Sequence, residues 1–135
     1  MVAVGEQIGS DIDRHEQETR DRVWTFLLLL PVAAQASIAD VFQQLDNGTV
    51  EDKNFVKTLI VGIEDGFSAV NDELNDNGKP MLYCSPETTK LTGNQLIDIL
   101  RRWVEANRTK YPDIDAAPPA AALLYALEEE FPCSN

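Results

Sequence analysis

Two cysteines, one histidine and a scatter of carboxylates are the residues of this chain with chemistry to offer. Cys84 and Cys133 are its only cysteines. Two thiols in a short chain form one disulfide where the compartment is oxidising, or stay a pair of buried thiols where it is not. A bridge would tie the loop before one helix to the end of the next, because Cys133 directly follows the last apolar-patterned stretch in Phe131-Pro132-Cys133. The bridged reading is the one taken here, because a separate signal upstream points to export. His15 is the single histidine and falls within the first 36 residues. If that segment is removed, no imidazole remains, which excludes His-based triads, Cys-His dyads and His-ligated zinc. Paired carboxylates can do acid–base work. Here no nucleophile, metal-ligand spacing or phosphate-cradling glycine loop stands beside them. The chain is therefore expected not to be an enzyme and to need no cofactor or metal.

The export signal is the run Trp24 to Ala36, WTFLLLLPVAAQA. It is uncharged and apolar and ends in Ala34-Gln35-Ala36, the small-x-small pattern of a signal-peptidase site before Ser37. It is too short to span a bilayer, which takes about 20 apolar residues. Arg20 and Arg22 precede it, but residues 1–22 also carry six acids, which makes a long and atypical n-region. The competing reading is a buried helix of a cytosolic protein. The organisation expected is an extension plus signal over residues 1–36 and one domain over 37–135, placed in the periplasm.

The chain of 135 residues is acidic, with 23 Asp+Glu against 11 Lys+Arg and a net charge of −12. Removing residues 1–36 takes away three arginines and six acids and leaves −9. A field of that sign repels nucleic acid and anionic membranes and favours basic partners.

The elements that must position these groups are helical. Ser37 to Asp46 has Ile38, Val41, Phe42 and Leu45 on one face, with Asn47-Gly48 as the stop. Thr49 caps a long helix from Val50 to about Asp76, on which Phe55, Leu59, Ile63, Phe67, Val70 and Leu74 read as the inward stripe, widened by Val56 and Ile60. Gly62 and Gly66 lie inside it and suggest close approach of another helix. After the Asn77-Gly78-Lys79-Pro80 turn, Met81 to Cys84 can lay Leu82 or Tyr83 on the core. Thr92-Gly93-Asn94-Gln95 is a capping box. The helix behind it, to about Arg108, turns Leu96, Ile97, Leu100, Trp103 and Val104 inward. Pro118 or Pro119 opens the last helix, which carries Leu123, Leu124, Leu127 and Phe131 to the core. No segment alternates at period two for long. The expected fold is all-α, a compact bundle of about four helices.

The order Leu82-Tyr83-Cys84-x-Pro86, Thr92-x-x-Gln95-Leu96, an amphipathic helix ending near Tyr111-Pro112, and an Ala-rich helix closing with Ala126-Leu127 and Phe131-Pro132-Cys133 resembles the Rap/Tai family of bacterial type VI secretion immunity proteins. Phe55 followed by Ile60-Val61-Gly62-Ile63 is similar to that family's glycine-bearing second helix. The resemblance covers about Ile38 to Cys133. It implies a small, disulfide-stapled, periplasmic all-α protein, often a homodimer, that binds a peptidoglycan-cleaving amidase effector and occludes its active site. A second cysteine pair, frequent in the first two helices of the family, is missing here; Gln44 and Val56 lie in that region.

Glu128-Glu129-Glu130 ends the last helix, where the helix dipole disfavours acids. It reads either as a solvated face or as an acidic patch kept for a basic partner. The partner-binding set expected is Glu128, Glu129 and Glu130 with the loop Glu87 to Lys90, which a Cys84–Cys133 bridge would hold close by. The alternative function is a structural or chaperone-like envelope protein that uses its apolar helix faces and has no toxin target.

Overall fold

Each of the first three helices begins where a side chain can satisfy its open N-terminal amides. The computed structural model describes residues 36–86 and 90–134. Helices α1 (Ile38–Asn47), α2 (Val50–Asp76), α3 (Gly93–Asn107) and α4 (Pro119–Glu130) follow in chain order, and among the described residues no strand forms. Ser37, Thr49 and Thr92 are the N-caps, and each closes a reciprocal capping box, with Asp40, Asp52 and Gln95 respectively. The Thr49 amide donates to Asp52 Oδ2 at 2.9 Å, while Thr49 Oγ1 accepts from the Asp52 amide at 3.2 Å. These backbone bonds hold the Asp40 and Asp52 carboxyls below their usual range. The boxes therefore support folding fully above the unfolded carboxyl pKa, and that support is lost as pH falls through the lowered folded-state value. α4 opens differently, with Pro119 at its first position.

Ala36–Asn135 forms one compact unit. Its core takes Ile38 and Val41 from α1, Val56 and Ile60 from α2, and Leu96, Ile97, Ile99, Leu100 and Val104 from α3. α4 adds Ala122, Leu123, Ala126 and Leu127. Tyr83 enters from the α2–α3 connection and Ile114 from a single 3-10 turn, Ile114–Ala116, before α4. The all-α bundle expected from the pattern is what forms. The 3-10 turn is not anticipated by it, because one inward Ile between prolines carries no periodicity.

Cys84 and Cys133 are bonded, with Cα atoms 4.9 Å apart. The Cys84 amide also donates to the Phe131 carbonyl at 2.8 Å. The segment before α3 is thus fastened to the residues after α4 by one covalent bond and one hydrogen bond.

α2 corrects the pattern reading. Its buried positions are Val56, Ile60, Glu64 and Asn71. Phe55 is 65% exposed, Val70 46% and Leu59 37%. The helix is rotated from the expected register because two polar residues, Glu64 and Asn71, belong to its inner face. Both bond to the Leu82–Tyr83 segment, and Glu64 also accepts from Ser68 one turn along the helix. Gly62 and Gly66 also differ from expectation: a Cβ built at either meets nothing within 4 Å. Among the described residues neither has a close neighbour, although each costs a helix interior about 1 kcal/mol relative to alanine. Gly78 does have a backbone reason, since it sits at φ 63° in the turn after α2.

Candidate functional site

α3 faces the core through Leu96, Leu100 and Val104, which leaves its neighbour Trp103 at the edge of the bundle, half-buried. α4 buries Ala122, Ala126 and Leu127, and Tyr125 falls outside that register, 58% exposed. Between the two helices the chain turns at Tyr111, whose amide bonds the Asn107 carbonyl and whose carbonyl accepts from the Ile114 amide. The buried Ile114 pins that turn, so Tyr111 is held beside Trp103 and remains 44% exposed.

The three rings form a ladder. Trp103 stacks on Tyr111 at 6.2 Å between centroids and 27° between planes, and on Tyr125 at 6.1 Å and 20°. These separations lie within the range where aromatic pairs attract. The indole N–H donates to Glu129 Oε2 at 2.9 Å. Lys110 Nζ lies 5.0 Å from the centre of the Tyr111 ring, within cation–π reach. Beside the ladder opens a cleft of about 490 Å³, floored by Ile114, Ala117, Ala121 and Ala122. An aromatic centre with an apolar floor and a charged margin has the anatomy of a protein-binding surface.

The residues expected to bind a partner divide around this site. Glu129 holds Trp103, and Glu130 accepts from Arg102 Nη2 at 3.0 Å. Glu128 is half-buried. Two acids at the unfavourable pole of α4 are therefore paired with donors on α3, which offsets the dipole penalty. Lys90 is on a different flank, bonded to Asp65 of α2 at 2.9 Å. Glu87 lies outside the described residues, as do residues 1–35 with His15 and most of the export signal. The ladder lies outside the partner-binding set expected from the sequence. Its one local sign is that Tyr125 breaks the apolar spacing of Leu123, Leu124 and Leu127.

A second polar cluster is internal. Glu64 is 5% exposed and its Oε1 accepts from Ser68 Oγ at 2.9 Å and from the Tyr83 hydroxyl at 3.1 Å. Burial, with Glu64 nearby, pushes the Tyr83 hydroxyl up to about 12. A raised folded-state value supports folding fully below the unfolded value of 10.0, and that support is lost as pH climbs through about 12. Alkaline unfolding followed by circular dichroism should thus begin above pH 10, and Tyr83→Phe should remove that component of the pH dependence. An unchanged alkaline transition in Tyr83→Phe would show that this tyrosine does not control it.

No known protein family, curated protein or solved structure matches this chain. Among the described residues no group of His, Cys, Asp and Glu could hold a metal ion. No described helix is long and apolar enough to cross a membrane.

Proposed function

We propose that this is a periplasmic immunity protein of type VI secretion, which binds a peptidoglycan-cleaving amidase effector and occludes its active site. The observation that carries the binding role is the solvent-facing ladder Tyr111–Trp103–Tyr125 beside an apolar cleft. Tyrosine and tryptophan dominate the energetic centres of interfaces, and charged rims act mostly on association rate. Arg102, Lys110, Glu129 and Glu130 supply such a rim. The target class comes from the likeness of the Tyr83-Cys84-x-Pro86 and Phe131-Pro132-Cys133 motifs to the Rap/Tai family. The disulfide is compatible with an oxidising compartment. Occlusion asks nothing of the protein but shape and charge. A homodimer belongs to the same proposal.

Titration against any amidase encoded beside it, by calorimetry and by cell-wall hydrolysis, tests the reading. Wild-type protein should bind at micromolar or tighter affinity and stop hydrolysis. Tyr125→Ala should weaken binding by about 10- to 100-fold, the range expected for an interface anchor. Its thermal midpoint should fall by no more than a few degrees, because Tyr125 is exposed and loses only its stacking on Trp103, worth about 1 kcal/mol. Absence of binding to any neighbouring effector would favour an envelope-structural role. Full binding by Tyr125→Ala would keep the function and discard the site.

A further inference from the structure

We infer that the outer face of α2 is a second docking surface, and that it takes a basic amphipathic helix from another protein. The face runs along Phe55, Leu59, Gly62, Gly66 and Val70, spaced so that they share one side of the helix over roughly 22 Å. Phe55, Leu59 and Val70 are all exposed, although three large apolar side chains in one line are unusual on a free helix face. Between them Gly62 and Gly66 leave a shallow saddle that no residue of the domain fills. Inside a helix both glycines weaken the fold, and they gain nothing from packing against the described residues. A saddle flanked by apolar knobs admits the backbone of a second helix closely.

Charge selects the occupant. Glu51, Asp65, Asp72, Glu73 and Asp76 of α2 are exposed on or beside this face or at its ends. The two lysines of the helix lie elsewhere: Lys57 packs against Gly93 at the start of α3, and Lys53 is half-buried on the inner side. Lys90 reaches one acid of the set, Asp65, from the loop. A second copy would set these acids against their own kind, whereas a helix with an apolar stripe flanked by Lys or Arg would pair with them. No residue of this face belongs to the Trp103 ladder, so the two surfaces can fail independently.

The test uses the oxidised full chain and two model peptides of about 18 residues, one face leucine and the flanks either Lys or Glu. The Lys peptide should bind at least about tenfold more tightly than the Glu peptide, and added salt should weaken it. Amide shifts should concentrate between Phe55 and Val70. The double variant Gly62→Gln, Gly66→Gln fills the saddle with good helix formers. It should raise the thermal midpoint and cut affinity for the Lys peptide by about tenfold or more. Equal binding by the double variant, or shifts spread over the other acidic surfaces, would reduce the attraction to bulk charge and overturn the proposal. So would self-association of the wild-type chain that the double variant abolishes, since the occupant would then be a second copy.

Discussion

Breaking the Cys84–Cys133 bond should lower stability by about 4 kcal/mol, a large share of the stability of a domain this size. The bond closes a loop across 49 positions, and opening it returns that freedom to the unfolded chain. For a domain near 100 residues the thermal midpoint should fall by roughly 20 °C. Cys84→Ser with Cys133→Ser, measured by urea denaturation without reductant, is the direct comparison. The folded state should keep its helices, because the capping boxes and the core of α3 and α4 are untouched. A loss below about 1 kcal/mol would mean that the Cys84–Phe131 backbone bond and the core already restrain the two ends, and that the loop-closure account is wrong for this chain.

Asn71→Ala should rank second. Asn71 Nδ2 donates to the Tyr83 carbonyl at 2.9 Å, and its Oδ1 accepts from the Leu82 amide at 2.7 Å. The side chain thus imitates a strand partner for a segment that has none. Truncation leaves a donor and an acceptor without partners near the core, at about 1–3 kcal/mol each, so the expected cost is about 3 kcal/mol. Asn71→Leu is the discriminating control. It restores volume but not polarity, and most of the loss should remain. If Asn71→Leu is as stable as the wild type, packing rather than backbone satisfaction explains the position.

Cys84, Cys133 and Asn71 also show what the sequence can and cannot disclose. Two cysteines admit only one intrachain pairing, so Cys84–Cys133 is legible from count once an oxidising compartment is assumed. The capping boxes at Thr49 and Thr92 are legible because donor and acceptor lie three residues apart. Asn71 is not, since its partners are 11 and 12 positions away. The same distance problem misplaces the inner face of α2. Phe55, Leu59 and Val70 lie outside, while the inner set joins Val56 and Ile60, which the expected stripe includes, with Glu64 and Asn71, which it does not. Two of its members are polar and find partners beyond the local pattern. The aromatic ladder draws one ring from each of three elements, so no local window contains it. Glu129 and Glu130 were visible as unusual acids at a helix end. Their actual role, holding Trp103 and Arg102, depends on α3 lying alongside α4.

The position of Trp103 makes the domain its own reporter. The chain has two tryptophans, and the other, Trp24, precedes the domain. Once the N-terminal segment is absent, all indole fluorescence comes from a ring stacked between two tyrosines and hydrogen-bonded to a carboxylate. Light absorbed by Tyr111 or Tyr125 can pass to it by resonance transfer over such short separations. Because Trp103 lines the adjoining cleft, a molecule that settles there against the indole should displace solvent from it and change its emission, with no label attached.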